Sequence, residues 1–140
     1  MTSLVDKLNS VMDILKTEID DALSNYKVMH FLRFPTATDF FPVCFIVPTR
    51  ITPIYRGGIL EEDEYAIIEI EIHLVTRVPF DYRGTRLLED LDAIMEKLRT
   101  LRHDDSKWYE LDYKGGIDLE YSPIEKWILQ SAVVHVKVEA

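Results

Sequence analysis

Four histidines, one cysteine and a pair of alternating glutamates are the residues in this chain that bear on chemistry. His30, His73, His103 and His135 invite a metal. None stands at a ligand interval from another, or beside a cysteine or paired carboxylates, as a zinc site requires. His73 and His135 fall on the polar sides of two alternating segments, where strand pairing would make them neighbours on a solvent-facing sheet. A metal there would still need a third ligand and an outer shell of supporting bonds. Glu69 and Glu71 share a strand face and could in principle exchange a proton as an acid–base pair. A solvated sheet face is the plainer reading, because no nucleophile or oxyanion donor accompanies them. Cys44 lies inside Phe41-Pro42-Val43-Cys44-Phe45-Ile46-Val47, without a nearby lysine or histidine to lower its pKa, and reads as a small buried apolar residue. Arg56-Gly57-Gly58 lacks the other glycines of a dinucleotide loop and reads as a turn. No catalytic, metal or cofactor site is expected.

The elements that hold these residues follow from periodicity. Residues 3–24 place Leu4, Leu8, Val11, Met12, Leu15, Ile19, Ala22 and Leu23 on one stripe of a helix, with Thr2 or Ser3 as cap. Residues 27–34 form a short strand stopped by Pro35, and 36–40 form a loop. Residues 43–47 are apolar on both faces and belong inside a sheet. The strand resumes to Arg56, and Pro48 and Pro53 require a bulge or an edge position. After Gly57-Gly58 and the acids Glu61, Glu62, Asp63 and Glu64 comes the strongest alternation. Ala66, Ile68, Ile70, Ile72, Leu74 and Thr76 face one way, with Glu69, Glu71, His73 and Arg77 facing the other.

Pro79 ends this long hairpin, and Asp81 or Thr85 caps a second helix running to about Leu101. Its stripe is Leu87, Leu88, Leu91, Ile94, Met95, Leu98 and Leu101. Residues 108–113 and 117–121 read as strands around Lys114-Gly115-Gly116. Residues 129–138 close the chain, with Ala132, Val134, Val136 and Val138 inward and His135, Lys137 and Glu139 outward. The expected fold is one α+β domain over residues 1–140: an antiparallel or mixed sheet with a long hairpin and two amphipathic helices on one face.

A chain of 140 residues with one cysteine holds one core and no internal disulfide. No apolar run approaches the length of a membrane span, and the first residues lack the pattern of a secretory signal. A formal charge of −9 disfavours tight binding to nucleic-acid or membrane phosphates. Trp108, Tyr109, Tyr113, Tyr121 and Trp127 suit either core or contact surface, and the 61–64 acids suit either a solvated tip or a docking element.

This order of elements resembles the tail terminator (tail-completion) proteins of long-tailed bacteriophages, such as that of phage lambda. The segments carrying the likeness are 41–47, the strand 66–74 with its exit at Pro79, the helix 85–101 and the ending 131–138. The resemblance implies a virion structural protein, made in the host cytoplasm, that assembles as a homohexameric ring on the head-proximal end of the tail tube. Such a ring ends tube polymerisation, meets the tail tube protein on one side and the head–tail connector on the other, and lets DNA pass unbound. It implies no enzymatic activity, cofactor or membrane. Tyr55, Arg56, Gly57, Gly58, Glu61, Glu62, Asp63 and Glu64 become candidates for the ring or tube interface, and Glu69 and Glu71 candidates for the lumen wall. The alternative class is a small homodimeric ligand-binding or regulatory α+β domain.

Overall fold

The computed structural model of the chain describes residues 4–24, 26–30, 42–54, 65–79, 85–102, 110–124 and 127–139. Two helices, α1 (Leu4–Ala22) and α2 (Thr85–Arg102), pack on one face of a five-stranded sheet. The strands are β1 (Lys27–His30), β2 (Val43–Ile54), β3 (Tyr65–Pro79), β4 (Glu110–Ile124) and β5 (Trp127–Glu139). They lie in the order β1-β2-β3-β5-β4, all antiparallel except the short β1–β2 pair, so the sheet is mixed.

The core is the meeting of two periodicities. Val11, Met12, Leu15, Ile19 and Leu23 along α1, and Leu87, Leu91, Ile94, Leu98 and Leu101 along α2, are all buried on the sheet. Opposite them the strands contribute every second residue: Ala66, Ile68, Ile70, Ile72 and Leu74 from β3, and Ala132, Val134, Val136 and Val138 from β5. Each fully buried Leu or Ile is worth about 1.5–3 kcal/mol of transfer free energy, so this layer dominates stability. Leu4 and Leu88, on the expected stripes, are exposed instead: Leu4 is the first residue of α1, and Leu88 lies to one side of the buried line that Leu87, Leu91, Ile94 and Leu98 make.

The helices are also clasped to each other. Lys97 Nζ lies 2.8 Å from Asp21 Oδ2 and 3.4 Å from Glu18 Oε2. Beyond the end of α1, the buried Tyr26 hydroxyl donates to Asp90 Oδ2 at 2.6 Å.

β2 answers the question its prolines pose. Pro48 pairs with Ile70 and Arg50 with Glu69, so Thr49 is a surplus residue in a bulge, and its hydroxyl donates to the Glu69 carbonyl at 3.1 Å. The bulge switches parity. Cys44 and Ile46 face the helices before it, and Ile51 does so after it, opposite Ile68. β1 covers only Val43, Cys44, Phe45 and Ile46, so both prolines fall on a stretch where β1 has no ladder to complete. Val43, Cys44, Phe45 and Ile46 are buried on both faces, as their composition requires.

One expectation needs correction. Lys114-Gly115-Gly116 does not separate two strands: β4 runs through it, and the pairing with β5 shifts between Tyr113 and Ile117. Two glycines read as a turn, yet they equally suit an irregularity within a ladder, where a missing Cβ eases distortion.

Candidate functional site

Because both helices cover one side of the sheet, the residues able to meet a partner through the sheet stand on the other. That open face is built from the odd-numbered positions of β3 and β5 and is read best across the strands. Arg50, Glu69 and Lys137 occupy one row of β2, β3 and β5. Val47, Glu71 and His135 form the next, and Phe45, His73 and Val133 the one after.

The charges alternate along the first of these rows. Arg50 Nε lies 3.9 Å from Glu69 Oε2, and Lys137 is Glu69's partner on the other side. Glu71 stands between the histidines. Its Oε1 is 3.0 Å from Nε2 of His73 and its Oε2 is 4.0 Å from Nδ1 of His135. A carboxylate only accepts, so the short bond places the proton of His73 on Nε2. Glu69, Glu71 and His73 keep about a quarter of their side chains in water, His135 somewhat more, and Arg50, at 71%, is the most exposed. Next to the polar rows Val43, Phe45 and Val75 form a small apolar cluster, flanked by Val47.

Glu69 and Glu71 therefore share the polar face as expected, and His73 and His135 are neighbours on it, though diagonally and with Glu71 between them. Sequence reasoning missed the two cations that flank Glu69, Arg50 and Lys137. The alternation of β5 already put Lys137 outward, but only the β3–β5 register sets it beside Glu69. Two glutamates matched by Arg50 and Lys137 leave this part of the face electrically balanced. Among the described residues no group of three histidine, cysteine or acidic side chains is arranged to hold a metal ion.

Cys44 faces the helix layer and is wholly buried. Burial pushes its thiol up to about 12, with a smaller push from the Asp20 carboxylate, which makes it inert toward nucleophilic chemistry.

On the outer side of the helix layer the clasp at Lys97 shows its electrostatics. The hydrogen bond from Lys97, and its charge, hold the Asp21 carboxyl below its ordinary range. The bond to Asp21 likewise raises the Lys97 ammonium, with Glu18 adding to it. Beside this clasp Asp13, Ile14, Thr17 and Glu18 line an open recess of about 220 Å³ on α1.

The loop candidates Tyr55, Arg56, Gly57, Gly58, Glu61, Glu62, Asp63 and Glu64 lie outside the described residues, as do His103, Trp108 and Tyr109. Tyr113 and Tyr121 fall on β4, Trp127 begins β5, and His30 ends β1. No helix of the described residues is long and apolar enough to cross a membrane. No protein-family model matches the chain, and no curated protein matches it.

Proposed function

We propose that this chain is a tail terminator: an assembly subunit that closes into a ring on the head-proximal end of a phage tail tube, stops tube growth and offers a surface to the head connector. The observation carrying this reading is the order helix, short strand, long hairpin, helix, hairpin. It is the order of the proteins the sequence resembles, folded into one mixed sheet with both helices on one side. The work of such a subunit is shape and charge complementarity. The −9 charge suits a ring through which DNA must slide without sticking. The segment 55–64, carried at the end of the β2–β3 hairpin, is the candidate contact with the tube or a neighbouring subunit. Glu69 and Glu71 fit a subunit contact better than a phosphate-repelling wall, since Arg50 and Lys137 flank Glu69 and His73 bonds Glu71.

The test is size and capping. Light scattering across a concentration series, alone and with purified tail tubes, should give a six-membered ring on one tube end, visible by negative stain. A stable dimer that ignores tubes would transfer the chain to the class of small dimeric binding domains. A monomer that neither assembles nor binds tubes would also refute the proposal.

A further inference from the structure

The two sides of this domain carry charge triads of opposite sense. On the open sheet face the sequence across the strands is plus, minus, plus: Arg50, Glu69, Lys137. On the outer side of the helix layer it is minus, plus, minus: Glu18, Lys97, Asp21, with the ammonium held between the two carboxylates. Strand spacing sets Arg50 and Lys137 about 10 Å apart, two ladder widths. Glu18 and Asp21 lie one helical turn apart, and long side chains bridge the difference.

We propose that the helix face of one copy docks on the open sheet face of the next, Glu18–Lys97–Asp21 against Arg50–Glu69–Lys137, as the repeating contact between subunits. The proposal rests on the ring reading and names its interface.

Two observations beyond the charge order support it. Arg50 is 71% exposed and meets Glu69 only at 3.9 Å, so most of its side chain is open to a partner and the contact it would loosen is long. The recess lined by Asp13, Ile14, Thr17 and Glu18 adjoins the helix triad and has a matching character. Its carboxylates suit a guanidinium, and the Ile14 side chain suits the arginine's apolar stem. Second, the triads lie on opposite sides of a two-layer domain, so a copy that uses one leaves the other available. A contact of that kind is head-to-tail, and it closes into a ring when the rotation per subunit allows.

The test uses two charge-reversed full-length chains. One carries Arg50→Glu and Lys137→Glu, making its sheet face acidic against a helix face that is already acidic. The other carries Glu18→Lys and Asp21→Lys, making its helix face basic against a basic-flanked sheet face. Each alone should self-associate at least about tenfold more weakly than the parent, because like charges now meet. Mixed one to one they should assemble as the parent does, since the reversed sheet face of one chain then meets the reversed helix face of the other with opposite sign, and the two unreversed faces meet as in the parent. Assembly is read by light scattering at low salt, where screening is weakest. Circular dichroism and melting confirm that each chain is folded. If a reversed chain fails to fold, Arg50→Gln with Lys137→Gln and Glu18→Gln with Asp21→Asn replace it, each expected to weaken assembly without repulsion. Parent-like self-assembly of either variant alone would overturn this interface and leave the ring reading standing. Failure of the mixture to recover would overturn it too. A parent chain that stays monomeric even with tail tubes would overturn both.

Discussion

Deleting Thr49 should leave the fold intact, an unusual outcome for removing a residue from the middle of a strand. In a paired strand a one-residue deletion normally turns every following side chain to the opposite face. At Thr49 the ladder already accommodates one residue too many, because Pro48 pairs with Ile70 and Arg50 with the very next residue, Glu69. Taking Thr49 out lets Pro48 and Arg50 follow each other in regular alternation, with Ile51 still opposite Ile68. The loss is the hydroxyl bond to the Glu69 carbonyl at 3.1 Å, an exposed contact worth about 0.5–1 kcal/mol. The offset is one residue fewer to order, about 1–2 kcal/mol of backbone entropy. The net change should lie within about 1 kcal/mol, or a few degrees in melting temperature. Deleting Ile70 is the control. β3 pairs with β5 without a shift, so that deletion turns Ala66 and Ile68 outward and carries Glu69 into the apolar layer, which should abolish cooperative folding. Urea unfolding followed by circular dichroism measures all three chains. If the Thr49 deletion destabilises as severely as the Ile70 deletion, Thr49 is not the surplus residue and the parity argument fails. Since a bulge adds local twist to its strand, the stable deletion chain should nonetheless cap tails poorly, as the end of the hairpin at Ile54 and Tyr65 would be turned to another direction.

The buried thiol of Cys44 should resist aromatic disulfide reagents at pH 8 until denaturant is added. With its folded pKa raised from 9.0 to about 12, the stability it lends is complete below pH 9 and lost as pH climbs toward 12, so Cys44→Ala should flatten the alkaline limb of the stability curve. Fast labelling of the native protein would contradict its placement. Replacing Glu61, Glu62, Asp63 and Glu64 by serine should change stability by under about 1 kcal/mol while impairing tail capping, and normal tail length in that variant would remove the segment from the mechanism. Changing Glu69 and Glu71 to Lys separates two roles. A subunit contact predicts failed assembly, whereas a lumen wall predicts normal tails with slow DNA ejection at low salt.

What the sequence made legible was periodicity, and what it hid was register. The alternation through Ala66, Ile68, Ile70, Ile72 and Leu74 fixed which side of β3 is buried, and the same holds for Ala132, Val134, Val136 and Val138. The prolines of β2 announced an irregularity because a missing donor has few tolerated places in a sheet. The neighbours of Glu69 and Glu71 were not readable, since they come from β2 and β5, and nothing in a local window states which residues of distant strands align. The parallel pairing of β1 was hidden for the same reason. β4 was misread because Lys114-Gly115-Gly116 is chemically a turn, and only pairing with a continuous β5 carries the strand through it.

The distribution of charge also favours one way of assembling over another. α1 presents Asp6, Asp13, Glu18, Asp20 and Asp21 against only Lys7 and Lys16, while α2 carries as many cations as acids, so the helix side of the domain is acidic by virtue of α1. The open sheet face, with Arg50 and Lys137 set against Glu69 and Glu71, is balanced in its centre. A symmetric dimer joined through the helices would press two acidic surfaces together at close range, where like charges cost several kcal/mol. A head-to-tail contact instead sets the acidic side of one copy against a face that offers it two cations. Electrostatic polarity across a two-layer domain thus acts as a directional instruction. It disfavours the helix-to-helix dimer and favours the heterologous contact from which rings are made.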